Sequence, residues 1–188
     1  MPDIFTNYSE ALSRVLSGME WTSAGLLAEE LNQARNDRKQ VILCGNGGSA
    51  GNAMHWANDL IYGAGKTGRG GLRAHALPAN APVVTCLSND LGYDEVFSAQ
   101  LRVLGNTGDI LVAFSGSGNS PNILRVLEVA REMGIRSWAI LGFDGGKALS
   151  LADQAIHFPV DDMQIAEDCQ MVLGHVITRF LASSTEDC

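Results

Sequence analysis

No apolar run in this chain approaches the roughly 18 residues that a membrane-spanning helix requires, so a membrane protein built on helices is not expected. Paired metal-binding or redox cysteines are also missing. The four cysteines (Cys44, Cys86, Cys169 and Cys188) form no C-x-x-C pattern, which argues against a zinc ribbon, a thioredoxin-like motif or a disulfide framework. Cys44 and Cys86 end apolar runs and are read as buried thiols, which fits a reducing, cytoplasmic compartment. Positive charge is scarce: 13 Lys and Arg stand against 21 Asp and Glu, for a net charge of −8. A nucleic-acid-binding surface is therefore not expected. The opening segment MPDIFTNYSEALSRVL has no basic region ahead of an apolar core, so it does not read as a signal peptide. The Walker pattern GxxxxGK[ST] is absent, which removes the commonest nucleotide-phosphate loop.

What is present is an alternating pattern. The 188 residues, 46% of them apolar, suffice for one well-cored domain covering 1–188. Residues 1–38 read as a helical N-terminal segment. Ile4, Tyr8, Leu12, Val15 and Leu16 have helical spacing, as do Leu26, Leu27, Leu31 and Ala34, with a break at Gly18. Short continuous apolar runs then predict buried strands at 40–44, 82–87, 109–114, 136–141 and 154–160. Helices are expected at 49–61, 95–103, 121–133 and 162–182. Such alternation implies an α/β fold, a five-stranded and mostly parallel sheet with helices on both faces. Ligands on such sheets bind beyond the C-terminal strand ends. Residues 63–82, rich in glycine and carrying Lys66, Arg69, Arg73 and His75, read as a long loop, either flexible surface or substrate cover.

Two strand-ending loops stand out, CGNGGS (44–49) and FSGSGNS (114–120), each leading into a predicted helix. Glycines let several N–H groups converge on one point, Ser and Asn add donors, and a helix start adds partial positive charge. That combination binds phosphate without a lysine. In the first loop Gly45, Gly47 and Ala50 meet only the weak GxGxxA form. The acidic residue that a dinucleotide fold places at the end of its second strand is not matched, since Asp59 lies within the helix.

His55 and Asp59, four apart on a predicted helix, share a face. Imidazole and carboxylate together can hold zinc or move protons, and they can equally form a structural hydrogen bond. Glu167 and His175 lie eight apart on the last helix, a rise of about 12 Å. They either converge from two ends or serve different subunits' sites. His75 and His157 read as structural or surface residues.

CGNGGSAGNAMHWANDL, SNDLGYDEVFSAQL, GDILVAFSGSGNSPNILRVLEVAREMGI and LGFDGGKALSLADQAIHFPV, in that order, resemble the SIS-domain (sugar isomerase) family, most closely its phosphoheptose isomerases, over about residues 35–182. The resemblance implies a flavodoxin-like doubly wound fold and ketose–aldose isomerisation of a phosphosugar, most closely sedoheptulose 7-phosphate, through an enediol. The alternatives are an isomerase of another phosphosugar and a non-catalytic SIS-domain binding or adaptor protein. It further implies substrate contacts from Asn46, Gly47, Gly48, Ser49, Asp90, Ser115, Gly116, Ser117, Ser120 and Glu167. His55, Asp59, Glu167 and His175 become ligands of one zinc ion per site, with Asp59 and His175 as acid–base groups. It implies a homotetramer with sites where subunits meet. Three positions depart from the family: Asp59 stands for Glu, Glu167 for Gln and Gly116 for Thr. The family's arginine after the first-helix carboxylate falls at Gly63, with Arg69 and Arg73 the nearest replacements.

Overall fold

The chain alternates strand and helix through most of its length, and the structure, a computed structural model, describes residues 3–66 and 68–183. Cys188 lies outside the described residues. Five strands, β1 (Gln40–Gly45), β2 (Arg73–Ala76), β3 (Ile110–Ser115), β4 (Arg136–Leu141) and β5 (Gln154–His157), form one sheet in the order β2-β1-β3-β4-β5. All four pairings are parallel. This is the flavodoxin-like order, whose switch point lies between β1 and β3.

Eight α-helices connect or flank the strands among the described residues: α1 (Asp3–Ser17), α2 (Thr22–Asn36), α3 (Gly48–Ile61), α4 (Ala81–Asp90), α5 (Ser98–Leu104), α6 (Pro121–Glu132), α7 (Ala148–Leu151) and α8 (Met163–Ala182). Period-two alternation along the strands divides the core. Val41, Leu43, Val112 and Phe114 face α2, α3 and α8. Ile42, Cys44, Leu111 and Ala113 face α5, α6 and α7. Strands coated on both faces are apolar throughout, which is why β1, β3 and β4 were visible as continuous runs. Helix α1 contributes no buried residue; only its inner edge (Ala11, Leu12, Val15, Leu16) packs on the core.

The predicted strand at 82–87 is a helix. Asn80 caps α4 by accepting a hydrogen bond from the Val83 N–H, and proline occupies its first turn. Both are helix-start signals that outweigh a short β-branched run. None of its residues is buried, so Cys86 is exposed rather than a core thiol. The second strand is β2, inside the segment expected to be one long loop. It pairs only with β1, and as an edge strand it does not need an apolar sequence. His75 therefore sits on a strand.

Candidate active site

Both glycine loops emerge at the switch point, from the C-terminal ends of the paired strands β1 and β3. Gly47, at φ +56, makes the turn into α3 in a conformation that L side chains rarely adopt. Asn46, Gly47, Ser49, Ser115, Gly116, Ser117 and Ser120 line one cavity of about 260 Å³, with Phe114, Met163 and Glu167 completing its wall. Seven of the ten expected substrate-contact positions thus meet here, with Glu167 as an eighth. Gly48 borders the cavity through its contact with Glu167. Asp90 is not among the lining residues; it ends α4, where its carboxylate accepts from Asn89 and from the Cys86 thiol.

The second loop keeps its hydroxyl protons free. Ser115 Oγ accepts from the Gly118 N–H (3.0 Å) and Ser117 Oγ from the Asn119 N–H (3.2 Å). Ser120 precedes α6 without a side-chain capping bond. Three hydroxyls can therefore donate to an anion. The first loop is arranged differently. Ser49 donates its hydroxyl to Gln170 Oε1 (3.0 Å), so its remaining donor is the backbone N–H. Asn46 exchanges two amide hydrogen bonds with Asn122 (2.8 and 2.9 Å) and accepts a third from the Tyr93 hydroxyl. Its side chain braces the loop against α6. What this loop turns toward the cavity is the first turn of α3, with the Glu167 carboxylate against Gly48.

Further down α3 lies a second cluster. His55 Nε2 is 3.1 Å from His175 Nε2, and Asp59 Oδ2 lies 3.5 Å from the first imidazole and 3.7 Å from the second. Ligand atoms about 2.0–2.1 Å from a tetrahedral ion stand roughly 3.3–3.4 Å apart. The observed triangle, with sides of 3.1, 3.5 and 3.7 Å, brackets those dimensions, with three ligands and one side open. The histidine side chains are half exposed and Asp59 is 21% exposed, so a substrate can reach them. Among the described residues this is the only group of three that could hold a metal. Glu167 does not join it within one subunit; its carboxylate lies against Gly48 instead.

The register of α3 on α8 creates the cluster. The two helices run side by side, with Ser49 and Asn52 on Gln170, Trp56 Nε1 donating to Thr178 Oγ1 (3.1 Å), and Gly174 against the indole. Gly63 lies close to Asp59 and Thr178, so no arginine stands there. Arg73 does not replace it: it donates to the Arg38 carbonyl at the opposite end of the sheet. Arg69 is near enough to Arg35 to repel it, and Arg35 donates to the Leu181 carbonyl at the far end of α8. Among the described residues neither lysine nor arginine lines the cavity.

This pairing of a serine-rich anion pocket with a His/Asp/His cluster has known counterparts. The chain matches the family model of the SIS domain over residues 5–142. It is 36% identical to a phosphoheptose isomerase of Helicobacter pylori (strain P12) over 92% of this chain and 89% of that one. The chain belongs to the SIS-domain family, among its phosphoheptose isomerases. The solved phosphoheptose isomerase of Neisseria gonorrhoeae superposes with a TM-score of 0.85 at 29% identity, covering 96% of this chain and 95% of that one. A phosphoheptose isomerase from Francisella tularensis shares the fold at a TM-score of 0.89 and 24% identity, covering 97% and 98%.

In this SIS domain the two buried cysteines are held protonated. Burial pushes the Cys44 thiol well up, and burial together with Asp168 pushes Cys169 to about 11, leaving both as thiols. His157 bonds the Phe143 carbonyl (3.0 Å) and is structural. Sequence reasoning missed the supporting residues Tyr93, Asn122, Met163 and Gln170. Gln170, three residues after Glu167 on the same helical face, was findable from spacing. Among the described residues its Nε2 is the only buried side-chain donor without a partner.

Proposed function

We propose that the protein isomerises sedoheptulose 7-phosphate to the corresponding aldose, D-glycero-D-manno-heptose 7-phosphate. The relatives named above supply the reaction class, and one observation carries the substrate reading: α3 begins at the pocket and carries two of the three cluster residues further along its length. Gly48 opens α3 at the pocket, and His55 follows seven residues later, about 10 Å along the axis. An extended seven-carbon chain phosphorylated at its end spans roughly 8–9 Å from phosphorus to C2. The serine loop shares its cavity with Gly47 and Ser49 at the head of α3, so a substrate held there by its phosphate has a chain of the right order of length to reach toward the cluster.

The Ser115, Ser117 and Ser120 hydroxyls hold the phosphate, and the backbone at Gly47, Gly48 and Ser49 closes the pocket. Asp59 and His175 move the protons: one takes a proton from the carbon beside the carbonyl to give the enediol, the other returns one to the adjacent carbon. Because the reaction is reversible, acid and base exchange roles with direction. His55, Asp59 and His175 fit a zinc ion with one open position, the pattern of a catalytic rather than a structural site. When bound, zinc would polarise the carbonyl and stabilise developing negative charge.

We further propose that the chain works as one domain in a cytoplasmic homotetramer, with residues 1–38 as its helical segment. The unburied helix α1, with Ile4 73% and Phe5 79% exposed, supports association through that segment. No described helix is long and apolar enough to cross a membrane.

The test is turnover of sedoheptulose 7-phosphate by zinc-loaded protein. His175→Ala and Asp59→Ala should each lower kcat by about 10²–10⁴ while leaving phosphate binding within threefold. Absence of turnover in the wild type, with phosphosugar binding retained, would favour a non-catalytic binding protein.

A further inference from the structure

Helix α8 meets the pocket with two side chains one turn apart, Met163 and Glu167, and each comes down on a glycine of a different loop. A Cβ on Gly116 would collide with the Met163 sulfur, and one on Gly48 would collide with both carboxylate oxygens of Glu167. The same carboxylate lines the cavity with Ser115, Ser117 and Ser120. A negative charge thus stands at the first turn of α3, where unpaired N–H groups and the helix dipole would otherwise favour an anion. Among the described residues no cationic side chain lines the cavity to offset it, and none forms an ion pair with Glu167.

We propose that Glu167 is a specificity-determining residue of this pocket. Its carboxylate occupies the anion position at the start of α3 and confines the incoming phosphate to the serine loop, fixing which way round the substrate lies. The proposal rests on the phosphosugar reading above. The two loops would otherwise compete, since each ends a strand, opens a helix and offers converging donors. With Glu167 in place only the second loop is free to take a dianion. The first loop then faces the uncharged, hydroxyl-bearing part of the substrate, for which a carboxylate is a good acceptor. The carbon chain leaves the pocket toward the face of α3 that carries His55 and Asp59. Met163, uncharged, narrows the wall above Gly116 without opposing the phosphate.

The experiment is calorimetric titration of inorganic phosphate into the full-length protein at low and high salt. At low salt E167Q should bind phosphate at least about tenfold more tightly than wild type, and the gain should shrink as salt screens the repulsion. Ser117→Ala alone should weaken phosphate binding at least tenfold. Adding E167Q to it should restore binding, because the first loop then accepts the anion. Glu167→Ala is the second variant, and should show the same gain and the same salt dependence. Normal phosphate binding by wild type with no gain in either Glu167 variant would overturn this inference and leave the pocket assignment standing. Failure of wild type and both variants to bind phosphate at all would overturn the pocket assignment and this inference together.

Discussion

The two glycine-serine loops draw on the same residue types and put them to opposite uses. In the loop after β3 the serine oxygens accept from backbone N–H groups, so the hydroxyl protons remain available to a ligand. In the loop after β1 the polar side chains are committed to the protein: Asn46 to Asn122 and Tyr93, Ser49 to Gln170. One loop is a set of donors held by its own backbone. The other is braced between α6 and α8 and keeps chiefly main-chain donors for the cavity. A count gives three glycines and one serine in the first loop against two glycines and three serines in the second; the direction of each hydrogen bond separates their uses.

The contrast can be broken most sharply at Ser115. Ser115→Ala removes a donor and strands the buried Gly118 N–H, which should cost about 1–3 kcal/mol of stability. Phosphate affinity should fall at least tenfold, read by titration beside a denaturant melt. Ser49→Ala should do the reverse in kind. About 0.5–1.5 kcal/mol of stability is lost with the Gln170 bond, and phosphate affinity stays within threefold. Equal losses of affinity in the two variants would erase the distinction between the loops. The smallest effect is expected at the brace of the first loop. Glu95 adjoins the turn that carries Tyr93. The Ser98 hydroxyl, and then Arg125 (2.9 Å), hold its carboxyl below the usual range. A depressed folded-state pKa contributes stability above the unfolded value, near pH 4.5, and that contribution is lost as pH falls through the folded value. Thermal melts from pH 6 down to pH 3 should show a shallower acid limb for Glu95→Gln than for wild type.

Most of the architecture was legible because buried parallel strands must be apolar on both faces. The runs in β1, β3 and β4 left little choice, and the helix periods of α2, α6 and α8 were equally plain. The failures share a cause. β2 reads Arg-Ala-His-Ala, with no β-branched or aromatic residue, and is a strand only because β1 offers it an edge. Residues 82–87 carry strand-like side chains, yet lie on a half-exposed helix whose start signals are Asn80 just upstream and Pro82 itself. The His55/Asp59 pair followed from spacing. Its meeting with His175 depends on how two distant helices pack, which no local pattern encodes. The position of Glu167 against Gly48 rests on the same packing; sequence spacing could not choose between the metal cluster and the pocket.

That packing is set by very little material. Gly174 has no side chain, and a Cβ there would lie 3.1 Å from the Trp56 ring, whose indole nitrogen is tied one turn on to Thr178. The flank of α8 at this point is a bare notch holding an indole wedge, with His175 on the next residue and His55 preceding the wedge. The gap between the two imidazoles is therefore a gauge of the helix-to-helix distance. Thickening the notch by one methyl would open the triangle of ligand atoms from behind, without touching any group that faces the substrate.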